Sequence, residues 1–115
     1  MSKNDQIRIQ HMLDAAREAV NSAQGHARGD LDQNLVWTLG LVKCVEIVGE
    51  AASRVGKERR ERYPQIPCVQ IVAMRNRLVH MYFDIDLDQV WKAVTEDLPP
   101  LVGALEKILE AEAEG

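Results

Sequence analysis

At 115 residues with a net charge of −4, the chain is long enough for one domain with a core of its own and too acidic for a general nucleic-acid coat. No apolar run approaches the ~18 residues of a membrane span and no charged-then-apolar leader is present, so a cytoplasmic protein that enters no membrane is expected. Cys44 and Cys68 form no CxxC pair and histidines do not cluster with them, so free reduced thiols are expected, with neither a metal nor a cofactor.

From about Asn4 to Gln24, Ile9, Met12, Leu13, Ala16, Val20 and Ala23 draw one stripe along a helix. Ser2 or Asn4 can cap its start, and Gly25 and Gly29 punctuate the loop that follows. Asp30 is the expected N-cap of a second helix running to about Val55. That helix is apolar over most of its circumference, with Lys43, Glu46, Glu50, Ser53 and Arg54 as its narrow polar stripe. A helix of this kind is the centre of a bundle, and part of its apolar surface is expected to meet a second subunit.

Gly56 should end the second helix as a C′ residue. Lys57 to Arg62 predict a short turn before Tyr63-Pro64-Gln65-Ile66-Pro67 breaks it. Pro67 suits the first position of a third helix, expected to run to about Met81. A fourth begins near Leu87, with Val90, Trp91 and Val94 inward. Pro99-Pro100 interrupt it, yet Leu98, Leu101, Leu105, Ile108 and Leu109 keep the stripe in phase. A kink, or re-capping at Asp97, reconciles the two. No useful length alternates with period two and no linker appears. Residues 1–115 are expected to form a single all-α domain, an antiparallel bundle of four to five helices.

Charge is unevenly spread. Arg54, Lys57, Arg59, Arg60 and Arg62 face only Glu58 and Glu61, whereas Glu106, Glu110, Glu112 and Glu114 face only Lys107. The basic run is either a solvated turn or a guide for a phosphate backbone.

Reactive side chains concentrate in Arg75-Asn76-Arg77-Leu78-Val79-His80-Met81-Tyr82. Arginine binds phosphate, histidine moves protons near neutral pH, and asparagine orients either. On a regular helix Arg75 and His80 would lie about 140° apart, so one helix does not easily aim both at a point. Two copies across a two-fold axis, or a helix end loosened near His80, would help. The plainer alternatives are a histidine at a helix C-terminus, arginines paired with Asp84, Asp86 or Glu50, and Tyr82 as a core anchor. Glu50 either pairs with Arg54 at i,i+4 or reaches Arg75 or His80 from behind.

The spacing Arg-x4-His-x-Tyr resembles the signature of the HEPN superfamily, and its setting resembles the HepT-like toxins. Val48-Gly49-Glu50-Ala51-Ala52 is similar to the family's Gly-Glu-Ala segment. Ile66-Pro67, Phe83-Asp84-Ile85-Asp86, Val90-Trp91 and Asp97-Leu98-Pro99 fall where the family has similar residues, so the likeness covers about residues 9 to 109. Cys68, Ala73 and Met81 depart from it without removing a reactive group.

The resemblance implies a metal-independent endoribonuclease toxin whose cleft forms where two protomers of a homodimer meet. Arg75 would hold the scissile phosphate, His80 would act as general acid or base on RNA, and Asn76 would orient the imidazole or bind phosphate. It also implies a minimal nucleotidyltransferase antitoxin as partner, which attaches adenylate to Tyr82. The alternative is a non-catalytic helical module that binds a nucleotide or that nucleotidyltransferase.

Overall fold

The computed structural model describes residues 2–81 and 84–114; at positions 79–81 and 114 it describes the backbone. The fold is the expected all-α bundle, with one small addition. Its long elements are α1 (Lys3–Ala23), α3 (Leu35–Arg54) and α7 (Leu98–Glu114); between them lie α2 (Asp30–Gln33), α4 (Lys57–Arg62), α5 (Cys68–Asn76) and α6 (Leu87–Lys92). The stripes predicted on α1 and α7 face one another: Ile9, Met12, Ala16, Leu98, Leu105 and Ile108 are sealed from solvent, as are Val45 and Val48 of α3.

The helices α1 and α3 run antiparallel. The Trp37 indole N–H donates to Ser22 Oγ, tying the start of α3 to the end of α1, and the Gly56 N–H donates to Asp5 Oδ1 at the opposite end. Ser2, Asn34 and Asp86 cap α1, α3 and α6, each side chain accepting an N–H three residues on. Among the described residues no helix is long and apolar enough to cross a membrane.

Four expectations need correction. The second helix is not continuous from Asp30. Asn34 is extended (φ −140°, ψ 91°) and caps α3, and the buried Thr38 hydroxyl donates to Leu31 O at 2.8 Å and Asn34 O at 3.0 Å. Side-chain bonds of this kind compete with the helical ladder and break it. Asp30 instead accepts from the Ala27 N–H and pairs with His26, bracing the loop before it.

Gly56 follows the C-cap Val55, at the C′ position expected, but not in the left-handed conformation usual there; its φ is −63°. The carbonyls of Ala52, Ser53 and Val55 at the end of α3 accept from the Arg60 guanidinium. The basic run is therefore partly structural. Arg59 is also buried, at 2.9 Å from Glu112, which accepts from the Tyr63 hydroxyl as well. Neither Arg59 nor Arg60 sits in a solvated turn or reaches out to guide RNA.

The third helix stops at Asn76, five residues short of Met81. Pro67 stands one place before its first residue. Val79–Met81 is a strand (β1) that pairs antiparallel with Asp84–Ile85 (β2), Val79 opposite Ile85, and the Leu78 carbonyl accepts from the Asp86 N–H at 2.7 Å. The β-branched residues Val79 and Ile85 favour the extended form.

Finally, the last helix is not re-started by a cap at Asp97. Ala93–Asp97 is a π-helical turn in which the Leu98 N–H reaches back to Ala93 O. The wider turn carries the chain past Pro99 and Pro100, which have no N–H to donate. The Thr95 hydroxyl meets the Trp91 carbonyl on the way.

Candidate functional site

The site is built where α5 crosses α3. Arg75 is in the last turn of α5, and its stem lies directly on α3 at Gly49. A methyl group at Gly49 would stand 2.6 Å from Arg75 Cδ and 2.9 Å from its Cβ. Only glycine permits that approach. The next residue along α3, Glu50, reaches the guanidinium that Gly49 seats: Glu50 Oε2 lies 3.5 Å from Arg75 Nη1, while Oε1 accepts from Arg54 Nε at 2.7 Å. Both arrangements foreseen for Glu50 therefore coexist, with Arg54 taking the closer contact.

Asn76 turns its amide oxygen to the same guanidinium, 3.3 Å from Nη2 and 3.4 Å from Nε. These three contacts are long, so the five donors of Arg75 are oriented without being saturated. The side chain of Arg75 remains 29% exposed.

Beside it opens a groove of about 830 Å³ between α1, α3 and α5, with Arg75, Asn76 and Leu78 on one side and Arg8 and His11 on the other. Leu78, 1% exposed, anchors the turn that leads from Arg75 into β1. His80 thus lies on a strand beyond the helix end, and the helical angle between Arg75 and His80 no longer applies. The side chain of His80 and the whole of Tyr82 lie outside the described residues, so the structure brings together Arg75, Asn76 and Glu50 of the five predicted residues.

A model of the ribonuclease HepT-like family matches residues 9–108 of the chain. The protein belongs to the HepT-like family. Among its relatives, "Putative RNase MJ1380" of Methanocaldococcus jannaschii is 30% identical over 88% of this chain and 94% of its own length. "Putative RNase TTE0752" of Caldanaerobacter subterraneus is 29% identical over 90% and 93% respectively. "Probable ribonuclease HepT" of Thermococcus cleftensis is 37% identical over 59% and 62%. No solved structure matches.

In this HepT-like chain, the likeness of Val48-Gly49-Glu50-Ala51-Ala52 to the family segment acquires a physical reason. Gly49 seats the stem of Arg75, Glu50 holds its head, and Ala51 and Ala52 are buried among the helices behind. Reading the sequence named Gly49 within the family segment without identifying Arg75 as the side chain it seats; the signal at Gly49 is a glycine in the interior of an apolar helix where alanine would be about 1 kcal/mol better. The thiols of Cys44 and Cys68 are free, and burial raises the pKa of both, keeping them protonated.

A further feature borders the groove. Along α3, Val36, Leu39 and Ile47 are exposed, Val36 by 82%. They share the helix face that continues into Glu50 and Arg54.

Proposed function

We propose that this protein is an endoribonuclease that cleaves RNA without a metal, acting as a homodimer. Family membership over residues 9–108 makes ribonuclease the activity class. The observation that carries the mechanism is Arg75 held by Gly49, Glu50 and Asn76 at the edge of an open groove.

Arg75 binds the scissile phosphate and stabilises charge developing on its non-bridging oxygens. The ribose 2′-oxygen attacks phosphorus as its proton passes to a general base, and the P–O5′ bond breaks as the 5′-oxygen takes up a proton. His80 fills one of these proton-transfer roles, and a group of the partner copy fills the other. The products are a 2′,3′-cyclic phosphate and a free 5′-hydroxyl. The exposed apolar face of α3 beside Glu50 supports an isologous pairing that sets two grooves together.

The test is cleavage of single-stranded RNA in excess chelator, wild type against His80→Ala, with product ends analysed. Cleavage that needs His80 and leaves cyclic phosphate supports the reading; chelator-sensitive cleavage, or cleavage indifferent to His80→Ala, refutes it.

The chain is also proposed as the toxin of a pair whose partner, a minimal nucleotidyltransferase, adenylates Tyr82. Phosphates added there would compete with RNA for Arg75. Co-expression with the partner should add adenylate-sized mass to the wild type and none to Tyr82→Phe. A gain that survives the substitution removes Tyr82 from the account.

A further inference from the structure

The wall of the groove opposite Arg75 is formed by α1, where Arg8 and His11 stand three residues apart on one helix face. Neither belongs to the motif. Among the described residues, Arg75 and Arg54 are paired with Glu50 and Lys43 with Glu46. With the described residues, the side chains of Arg8 and His11 make no hydrogen bond or ion pair. The groove collects four cations, Arg8, Lys43, Arg54 and Arg75, against the carboxylates of Glu46 and Glu50, in a chain whose net charge is −4. A concave surface of opposite sign to the rest of the molecule concentrates polyanions.

We propose that Arg8 and His11 are a second phosphate-holding site, which takes the RNA backbone flanking the scissile bond and lays the strand across the groove from α1 to α5. This rests on the nuclease reading and deepens it. The ligand chemistry is a single-stranded phosphodiester chain: Arg8 supplies a fork of donors to one phosphate and the His11 imidazole an N–H to it or its neighbour. No base edge is needed, so the contact raises affinity without choosing sequence.

The test uses the full-length protein and a 2′-O-methyl RNA, which lacks the attacking hydroxyl and stays intact. Affinity is followed against salt for wild type, for Arg8→Gln/His11→Gln, and for Arg17→Gln. The last removes a charge from α1 outside the groove, where Arg17 pairs with Glu106. Each lost phosphate contact should lower the slope of log affinity against log salt by about 0.7, equivalent to about fivefold weaker binding near 0.1 M salt. The double variant is expected to show that loss with an unchanged melting temperature, and Arg17→Gln to match wild type.

Equal slopes for wild type and the double variant overturn the proposal, as does an equal loss in Arg17→Gln. If wild type cleaves RNA while the double variant binds normally, the α1 site falls and the nuclease reading stands. If wild type neither binds nor cleaves RNA, both fall.

Discussion

Replacing Gly49 by alanine separates the seat of Arg75 from the stability of the bundle. The added methyl would lie 2.6 Å from Arg75 Cδ, whereas carbon atoms rest at about 3.5–4.0 Å, so the arginine stem must withdraw by about 1 Å. If Arg75 stayed, the overpacking would cost about 1–3 kcal/mol. The guanidinium end can swing away, because its contacts to Glu50 and Asn76 are 3.3–3.5 Å long at a partly exposed site and such pairs hold a side chain by about 1 kcal/mol or less, whereas Arg75 Cβ, 2.9 Å from the added methyl, moves only if α5 shifts slightly. Alanine in place of glycine returns about 1 kcal/mol to α3. Stability should therefore fall by no more than about 2 kcal/mol, while a guanidinium misplaced by about 1 Å costs about 10²-fold in turnover. Gly103→Ala is the control, since a methyl there meets nothing within 4 Å. Urea unfolding and single-turnover RNA cleavage on the three proteins give the answer. Wild-type turnover in Gly49→Ala, or a loss of activity matched by an equal loss of stability, would refute the reasoning.

Thr38→Val conserves shape and deletes the buried donor to Leu31 O; urea unfolding should show a loss of about 1–3 kcal/mol, and no loss would mean the hydroxyl is not what breaks the helix at Asn34. The hydrogen bond from Tyr63 holds the Glu112 carboxyl below its ordinary pKa of 4.5, so its stabilisation is complete above that value and drains as pH falls through the depressed value. Melting temperature between pH 6 and pH 3 should consequently fall more steeply for wild type than for Glu112→Gln; parallel curves would contradict this. Val36→Lys places a charge on the exposed face of α3 in both copies of a dimer. At about 1.5–3 kcal/mol per buried side chain it should weaken dimerisation by about 10²-fold or more, visible as monomer by light scattering, and an unchanged mass would move the interface elsewhere.

The long stripes on α1 and α7 were legible because period-3.6 burial is written along one segment, and Ile9, Met12, Leu105 and Ile108 each fell inside as read. Short features escaped for physical reasons. The β1–β2 pair has too few residues to alternate, and the π turn before Pro99 is a backbone solution to two missing donors that no side chain announces. Arg59 read as one charge among several because its partner Glu112 lies 53 residues away. The site behaved likewise. The motif named Arg75 and Asn76, and the spacing of Glu50 to Arg54 was visible on the helix, but that Gly49 seats Arg75 depends on how α5 crosses α3. Arg8 and His11 looked like any polar face of an amphipathic helix.

The central claim is that the Arg75 guanidinium and the His80 imidazole act on one phosphate. Single-turnover cleavage in chelator by Arg75→Ala, His80→Ala and the double variant tests it most directly. Each single substitution should cost about 10²–10⁴-fold, and the double should lose far less than the product of the two, as groups acting in one step do. Full activity in either single variant, or losses that simply multiply, would contradict the account.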